Sequence, residues 1–254
     1  IWISDTVKWT GRFTAVSDYL QVLANGFNQV LQGELSLELA RDSIRQVLHD
    51  DYPEMFPMGQ TGISVGDLAL KMLQSDNQVA ESYLTCLQCN KTTEPKWDKK
   101  FGYKLDADSN TPPSTMKWLT KLESKTRKKC PDCSSKMVKK VSYTEIPSLL
   151  VLDYPDFDIT TSHKIKLRSD SGESNILYLR GVVYHGQYHF TCRVITCEGN
   201  VWYHDGITTG IHCINDGHLK SLSNANLKSC HEKKLVLAIY SERSLICYNH
   251  HKQW

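Results

Sequence analysis

Two Cys-x-x-Cys pairs, Cys86-Leu-Gln-Cys89 and Cys130-Pro-Asp-Cys133, constrain this chain more than any other feature of it. Thiolates two residues apart in a tight turn can face one ion, and two such turns complete a tetrahedron of soft ligands for zinc. The sequence therefore predicts one four-cysteine zinc site, made by Cys86, Cys89, Cys130 and Cys133. Four protein ligands leave no open coordination position, so the expected role is structural rather than catalytic. The segment between the pairs reads as a finger that projects and returns. The rival reading is a redox-active pair or merely buried thiols. Nine cysteines in 254 residues are odd in number and too sparse for a disulfide scaffold. They favour metal binding in a reducing compartment, cytoplasm or nucleus. The first 85 residues hold no cysteine.

A chain that is 40% hydrophobic and 23% charged has the composition of a soluble globular protein long enough to bury a sizeable core. No apolar run reaches the length of a bilayer span, which argues against a membrane partner. Ile1 to Ile3 is apolar, but Ser4, Asp5, Thr6 and Lys8 break any secretory pattern. A start at Ile1 rather than methionine is consistent with a piece of a longer protein. The net charge of +2 gives no support to a nucleic-acid partner. The run Lys125, Arg127, Lys128, Lys129 reads as a solvated face, because no aromatic stacking set accompanies it.

Residues 14–48 read as helical from the spacing of Leu20, Val22, Leu23, Phe27, Val30 and Leu31, continued by Leu35, Leu39, Ile44, Val47 and Leu48. Residues 51–62 read as a loop broken by prolines and glycines. Ser64 is a candidate N-cap for a helix ending at Met72. From Tyr83 the texture turns to short β-prone runs. A loop is expected over 106–114 and a short helix over 116–122. Strands are expected over 137–153, 176–185, 189–196, 200–204 and 235–240, with a hairpin turn at Glu198-Gly199-Asn200. Helices first and strands after predict an α+β protein.

His189 opens one predicted strand, and Asp205 closes the next after a hairpin. Antiparallel pairing can bring the two together, and a carboxylate that holds an imidazole in one tautomer is the base half of a catalytic triad. Spacing alone is equally satisfied by a strand histidine at a hairpin. The combined pattern resembles the ubiquitin-specific protease family of cysteine peptidases. His189-Phe-Thr-Cys-Arg-Val194 is similar to that family's histidine box, and Trp202-Tyr-His-Asp205 to its aspartate segment. The paired Cys-x-x-Cys ribbon occurs in the same order and at comparable separation. Ile146-Pro147 to Leu152 resembles the strand that follows the second knuckle, Leu235 to Tyr240 the last strand, and Gln60 to Leu73, with Asp67, a Gln- and Asp-containing helix.

The resemblance implies a papain-like α+β fold covering 1–254. It would comprise a helical thumb-like part (1–80), zinc-ribbon fingers (81–145) and a β palm-like part (146–254). It implies His189 as general base, Asp205 as its orienting carboxylate, structural zinc, and ubiquitin or a ubiquitin-like modifier as partner. The family's nucleophilic cysteine precedes a Leu-Gln-x-Leu helix similar to Leu20-Gln21-Val22-Leu23. Counting back places that position at Thr14, with Gly11 matching a motif glycine. The asparagine just before the cysteine is replaced by Arg12 or Phe13, and the oxyanion asparagine falls at Trp9. A threonine hydroxyl is far less ionised than a thiol at neutral pH. Cys192, three residues from His189 along a strand, is expected on the opposite face as a core residue.

The expected function is thus a pseudo-protease that binds ubiquitin or a related modifier. Second is an active deubiquitinase or SUMO-type isopeptidase whose cysteine lies outside this sequence. A zinc-ribbon module that binds nucleic acid ranks third.

Overall fold

A computed structural model describes residues 17–59, 62–73, 80–98, 102–105, 114–121, 123–154 and 159–242. The chain divides into two compact units, Ile1–Asn77 and Gln78–Trp254.

The described part of the first unit is helical: α1 (Asp18–Leu31), α2 (Leu37–Asp51) and α3 (Val65–Met72). The periodic run read over 14–48 is two helices. Gly33, at φ +76°, takes a left-handed conformation that L-residues avoid and ends the first helix. The Ser36 hydroxyl then caps α2 by accepting from Leu39 N–H, and Ser64 caps α3 by accepting from Asp67 N–H. Gly26 lets α1 approach α2, since a Cβ there would lie 3.1 Å from Ala40 Cβ. Ile44, Leu48 and Phe56 form a small core with Tyr19, Val22, Leu23, Ile63, Leu68 and Met72 packed on it.

The second unit holds two sheets. Its elements are β1 (Ala80–Cys86), β2 (Lys96–Asp98), β3 (Gly102–Lys104), α4 (Thr115–Lys121), β4 (Glu123–Lys129), β5 (Lys136–Tyr143) and β6 (Leu149–Asp153). These are followed by β7 (Lys164–Arg168), β8 (Ser174–Gly186), β9 (His189–Ile195), β10 (Asn200–His204), β11 (Ile214–His218), α5 (Asn224–Lys228), β12 (Ser229–Cys230) and β13 (Lys233–Glu242). A four-stranded sheet runs β2-β1-β5-β4. A nine-stranded sheet runs β11-β10-β9-β8-β13-β6-β3, with β12 paired to β13 and β7 to β8.

The single strand expected over 137–153 is two strands in two sheets. Residues 144–148 interrupt it, and Pro147, which lacks an N–H, cannot continue a ladder. The basic run 125–129 lies on a strand, β4, at one edge of the smaller sheet. All five residues of β6 are buried. Its Leu150 and Leu152 share the main core with Leu177, Leu179, Val182 and Tyr240. Each aliphatic side chain so buried contributes about 1.5–3 kcal/mol relative to exposure.

The β9–β10 hairpin positions the candidate site. Gly199 sits at φ +95°, and a Cβ on it would lie 2.7 Å from His218 Nε2. Gly199→Ala combines left-handed strain with a clash, so it should destabilise the protein by about 1–3 kcal/mol. A lowered urea midpoint with an unchanged slope is the expected reading. An unchanged midpoint would show that the turn tolerates a side chain.

Candidate zinc site and histidine–aspartate pair

The two knuckles repeat one backbone pattern. Cys86 N–H donates to Lys91 O at 2.9 Å, and Asn90 N–H to Cys86 O at 3.1 Å. Cys130 N–H donates to Ser135 O at 2.8 Å, and Ser134 N–H to Cys130 O at 2.9 Å. Asn90 and Ser134 adopt φ +57° and +56°, the left-handed step that turns each chain back on itself. Strands β1 and β5 pair in register with Cys86 opposite Met137, which brings the knuckles together.

Sulfurs of Cys86 and Cys133 lie 3.4 Å apart, Cys89 and Cys130 3.6 Å, and Cys89 and Cys133 3.7 Å. All four Sγ atoms fall within 4.8 Å of one another. Zinc–sulfur bonds of about 2.3 Å put the sulfurs of a tetrahedron about 3.8 Å apart, so the donor set fits zinc in number, type and spacing. Hydrogen bonds from Ser135, its backbone N–H first, bring the Cys133 thiol down to about 6. The Lys91 backbone N–H draws Cys89 down, but its thiol neighbours, Cys86 first, push it up to about 12. Four thiolates at this spacing repel one another unless a cation shares them. Cys133→Ser should therefore abolish stoichiometric zinc and destabilise the protein, as measured by elemental analysis and thermal unfolding. Full zinc content in the variant would overturn the four-ligand assignment.

His189 and Asp205 meet. His189 Nε2 lies 2.7 Å from Asp205 Oδ1, with the aspartate side chain 6% exposed and the imidazole 26%. They are not directly opposed. His204 pairs with Cys192, so Asp205, one residue further, aligns with Thr191 and reaches His189 as a same-face diagonal neighbour. Tight turns set both ends. Gln187 and Tyr188, at φ +53° and +58°, make a two-residue hairpin of the hand that matches strand twist and deliver His189 as the first residue of β9. After Asp205 the chain folds back so that Ile207 N–H and Thr208 N–H donate to Oδ1 at 2.9 and 3.4 Å, and Thr209 Oγ1 accepts from Asp205 N–H. Tyr203 OH donates to Oδ2 at 3.3 Å. Since Asp205 takes Nε2, the free imidazole nitrogen is Nδ1, and any proton the ring receives from a further partner would enter there.

Tyr203 and the Ile207 and Thr208 amides were not singled out in the sequence. Asp followed by Gly206 and then Thr208-Thr209 is a local turn signature that points to the amides. Tyr203 needs the strand alternation that puts it on the buried face. Cys192 lies on the opposite sheet face from His189, as expected, but is half-buried rather than fully core. Burial pushes its thiol up to about 11, which makes it a poor nucleophile. Thr14, with Trp9, Gly11, Arg12 and Phe13, lies outside the described residues.

No family model matches the chain, and no curated protein matches it in sequence. Solved structures match in fold. A chain of the SAGA DUB module Ubp8/Sgf11/Sus1/Sgf73 bound to monoubiquitin superposes at TM-score 0.57 with 12% identity, covering 94% of this chain and 63% of that one. The same module bound to ubiquitin aldehyde gives 0.57 and 12%, over 93% and 63%. The yeast module carrying an Sgf73 mutant gives 0.50 and 12%, over 95% and 64%. The chain thus shares the mixed α/β fold of these chains and spans less than two thirds of their length. No helix among the described residues is long and apolar enough to cross a membrane.

The hydrogen bond from His189, opposed by burial and aided by the Ile207 and Thr208 donors, holds the Asp205 carboxyl well below the usual carboxylate range. Its folded pKa therefore lies below the unfolded value of about 3.9. The stabilisation is complete above that value and is lost as pH falls toward the folded pKa. The stability deficit of Asp205→Asn should accordingly shrink as pH drops from about 6 to below about 4, followed by urea midpoints. A deficit independent of pH would show that ionisation of Asp205 contributes nothing.

Proposed function

We propose that this chain is a ubiquitin-specific-protease-like domain that binds ubiquitin or a ubiquitin-like modifier without cleaving it. One observation carries the reading: an aspartate-held histidine on this fold accompanies a sequence whose first cysteine is Cys86, a residue of the metal cluster. Thr14 occupies the nucleophile position by resemblance, and a threonine hydroxyl has no lowered pKa to exploit. Trp9 in place of an oxyanion donor removes a further factor of about a hundred to a thousand in rate. The binding half of the reading is supported by the likeness to a SAGA DUB module bound to monoubiquitin. The zinc would fix the ribbon and supply no chemistry. A thiolate-rich site suits a reducing compartment, cytoplasm or nucleus.

The intact His189–Asp205 geometry favours one alternative: an active deubiquitinase or SUMO-type isopeptidase that receives its cysteine from outside these 254 residues. Probes bearing a C-terminal electrophile separate the two. Neither a ubiquitin nor a SUMO probe should form an adduct with this chain, while at least one unmodified modifier should bind it in calorimetry. Thr14→Cys should gain adduct formation, and His189→Ala should remove that gain. Absence of binding to every modifier tested would overturn the proposal, as would an adduct on the parent chain that disappears when one cysteine is replaced.

A further inference from the structure

The smaller sheet ends at β4, whose outer edge has no strand partner among the described residues. This strand is an improbable one by composition, Glu-Ser-Lys-Thr-Arg-Lys-Lys. Over residues 80–98 and 123–143, which carry the smaller sheet and both cysteine knuckles, the chain has nine Lys and Arg against five Asp and Glu, although the whole chain has 30 against 28. The positive charge is therefore concentrated on the zinc ribbon, and the remainder is net acidic.

A bulge shapes the edge. Lys125 pairs with Val138 and Lys129 with Lys136, so four steps along β4 match two along β5. Thr126 holds the irregularity by donating its hydroxyl to Met137 O at 2.7 Å and accepting from Lys128 N–H. Such bulges re-aim side chains. Here Arg127, Lys128 and Lys129 are all exposed, and Lys136, exposed as well, sits directly across from Lys129. Like charges directly opposed on a sheet destabilise it, and among the described residues no carboxylate ion-pairs with these four. Lys91, across the zinc site, is paired, with Asp132 at 2.8 Å.

We propose that the outer edge of β4 docks an extended acidic segment of a partner protein as an added strand. Two features converge on that occupant. A free strand edge offers main-chain donors and acceptors at the spacing of another peptide strand. The clustered cations complement carboxylates while repelling a second copy of the same basic edge. Single-stranded nucleic acid fits less well, because β4 itself, Glu-Ser-Lys-Thr-Arg-Lys-Lys, carries no aromatic residue on which a base could stack.

The test uses the full chain loaded with zinc. A fluorescent peptide of about eight residues, alternating Glu with Val or Thr, matches one strand in length. Fluorescence anisotropy should show binding that weakens on raising salt through the range where the Debye length falls from about 10 to about 3 Å. The double variant Arg127→Glu/Lys129→Glu should bind at least about tenfold more weakly, equivalent to about 1.4 kcal/mol. Arg127→Lys should bind as the parent does. Retained zinc content in each variant shows that the ribbon is folded. A peptide of equal charge with proline at alternate positions should lose binding, since it cannot complete a ladder. Equal binding of the proline peptide, tighter binding of duplex DNA than of the acidic peptide, or no binding of the acidic peptide would each overturn the proposal.

Discussion

The larger sheet depends on its last described strand. β13 lies between β8 and β6, pairing with both over most of its length. Leu237 and Tyr240 are buried from this position, and Tyr240 OH donates to Ser162 O at 2.8 Å while lying 3.5 Å from Thr115 Oγ1. Without β13, β6 keeps only the short parallel partner β3, and β8 loses one full side. The two halves of the sheet are joined late in the sequence, by contacts of large separation. Loop closure must therefore precede most of the hydrophobic gain. The β8–β9–β10 meander is local by comparison. It can set the His189–Asp205 register early, but it needs β13 behind it to be buried.

β5 is one of the strands that tie the ribbon to this sheet. β5 leaves the second knuckle and ends at Tyr143, which is buried in the main core and shares a 2.6 Å hydroxyl contact with Tyr103 of β3. Pro147 then redirects the chain into β6. The four-cysteine cluster lies at one end of β5 and a buried tyrosine at the other. The exposed Lys91–Asp132 pair bridges the knuckles but contributes only about 0–1 kcal/mol. With zinc bound, the four-cysteine cluster would contribute more to the ribbon than this exposed pair does.

What the sequence made legible follows from the range of each interaction. The cysteine knuckles are local turns with fixed spacing, so their four residues could be named without a fold. Ser64 as a cap is equally local. The His189–Asp205 pair required a register, and spacing alone left it open until the wider pattern was compared. β7 (Lys-Ile-Lys-Leu-Arg) alternates exposed and buried residues cleanly but is short and flanked by polar sequence, so it went unread. β4 and β11 have compositions that disfavour strands. Pairing with β5 and β10 overrides that preference, as tertiary context does for β propensity in general. The break in 137–153 was hidden because apolar residues flank Pro147 on both sides and only the topology separates them.

The pairing of His189 with Asp205 does not by itself imply a reaction. Asp205 is buried at 4% exposure, and an ionised carboxylate there must be satisfied. Ile207 N–H and Thr208 N–H serve Oδ1 along with His189 Nε2, and Tyr203 OH serves Oδ2. Remove the imidazole and the carboxylate keeps two backbone donors and a longer hydroxyl contact, all within four residues of its own chain. Among the described residues, His189 is the hydrogen-bond partner of the carboxylate that ties this turn to the neighbouring strand β9. It thus closes the open end of the β9–β10 hairpin where the ladder stops at His204. That structural task would hold the pair together whether or not a thiol stands near Nδ1. The geometry of the pair therefore follows from the demands of folding alone.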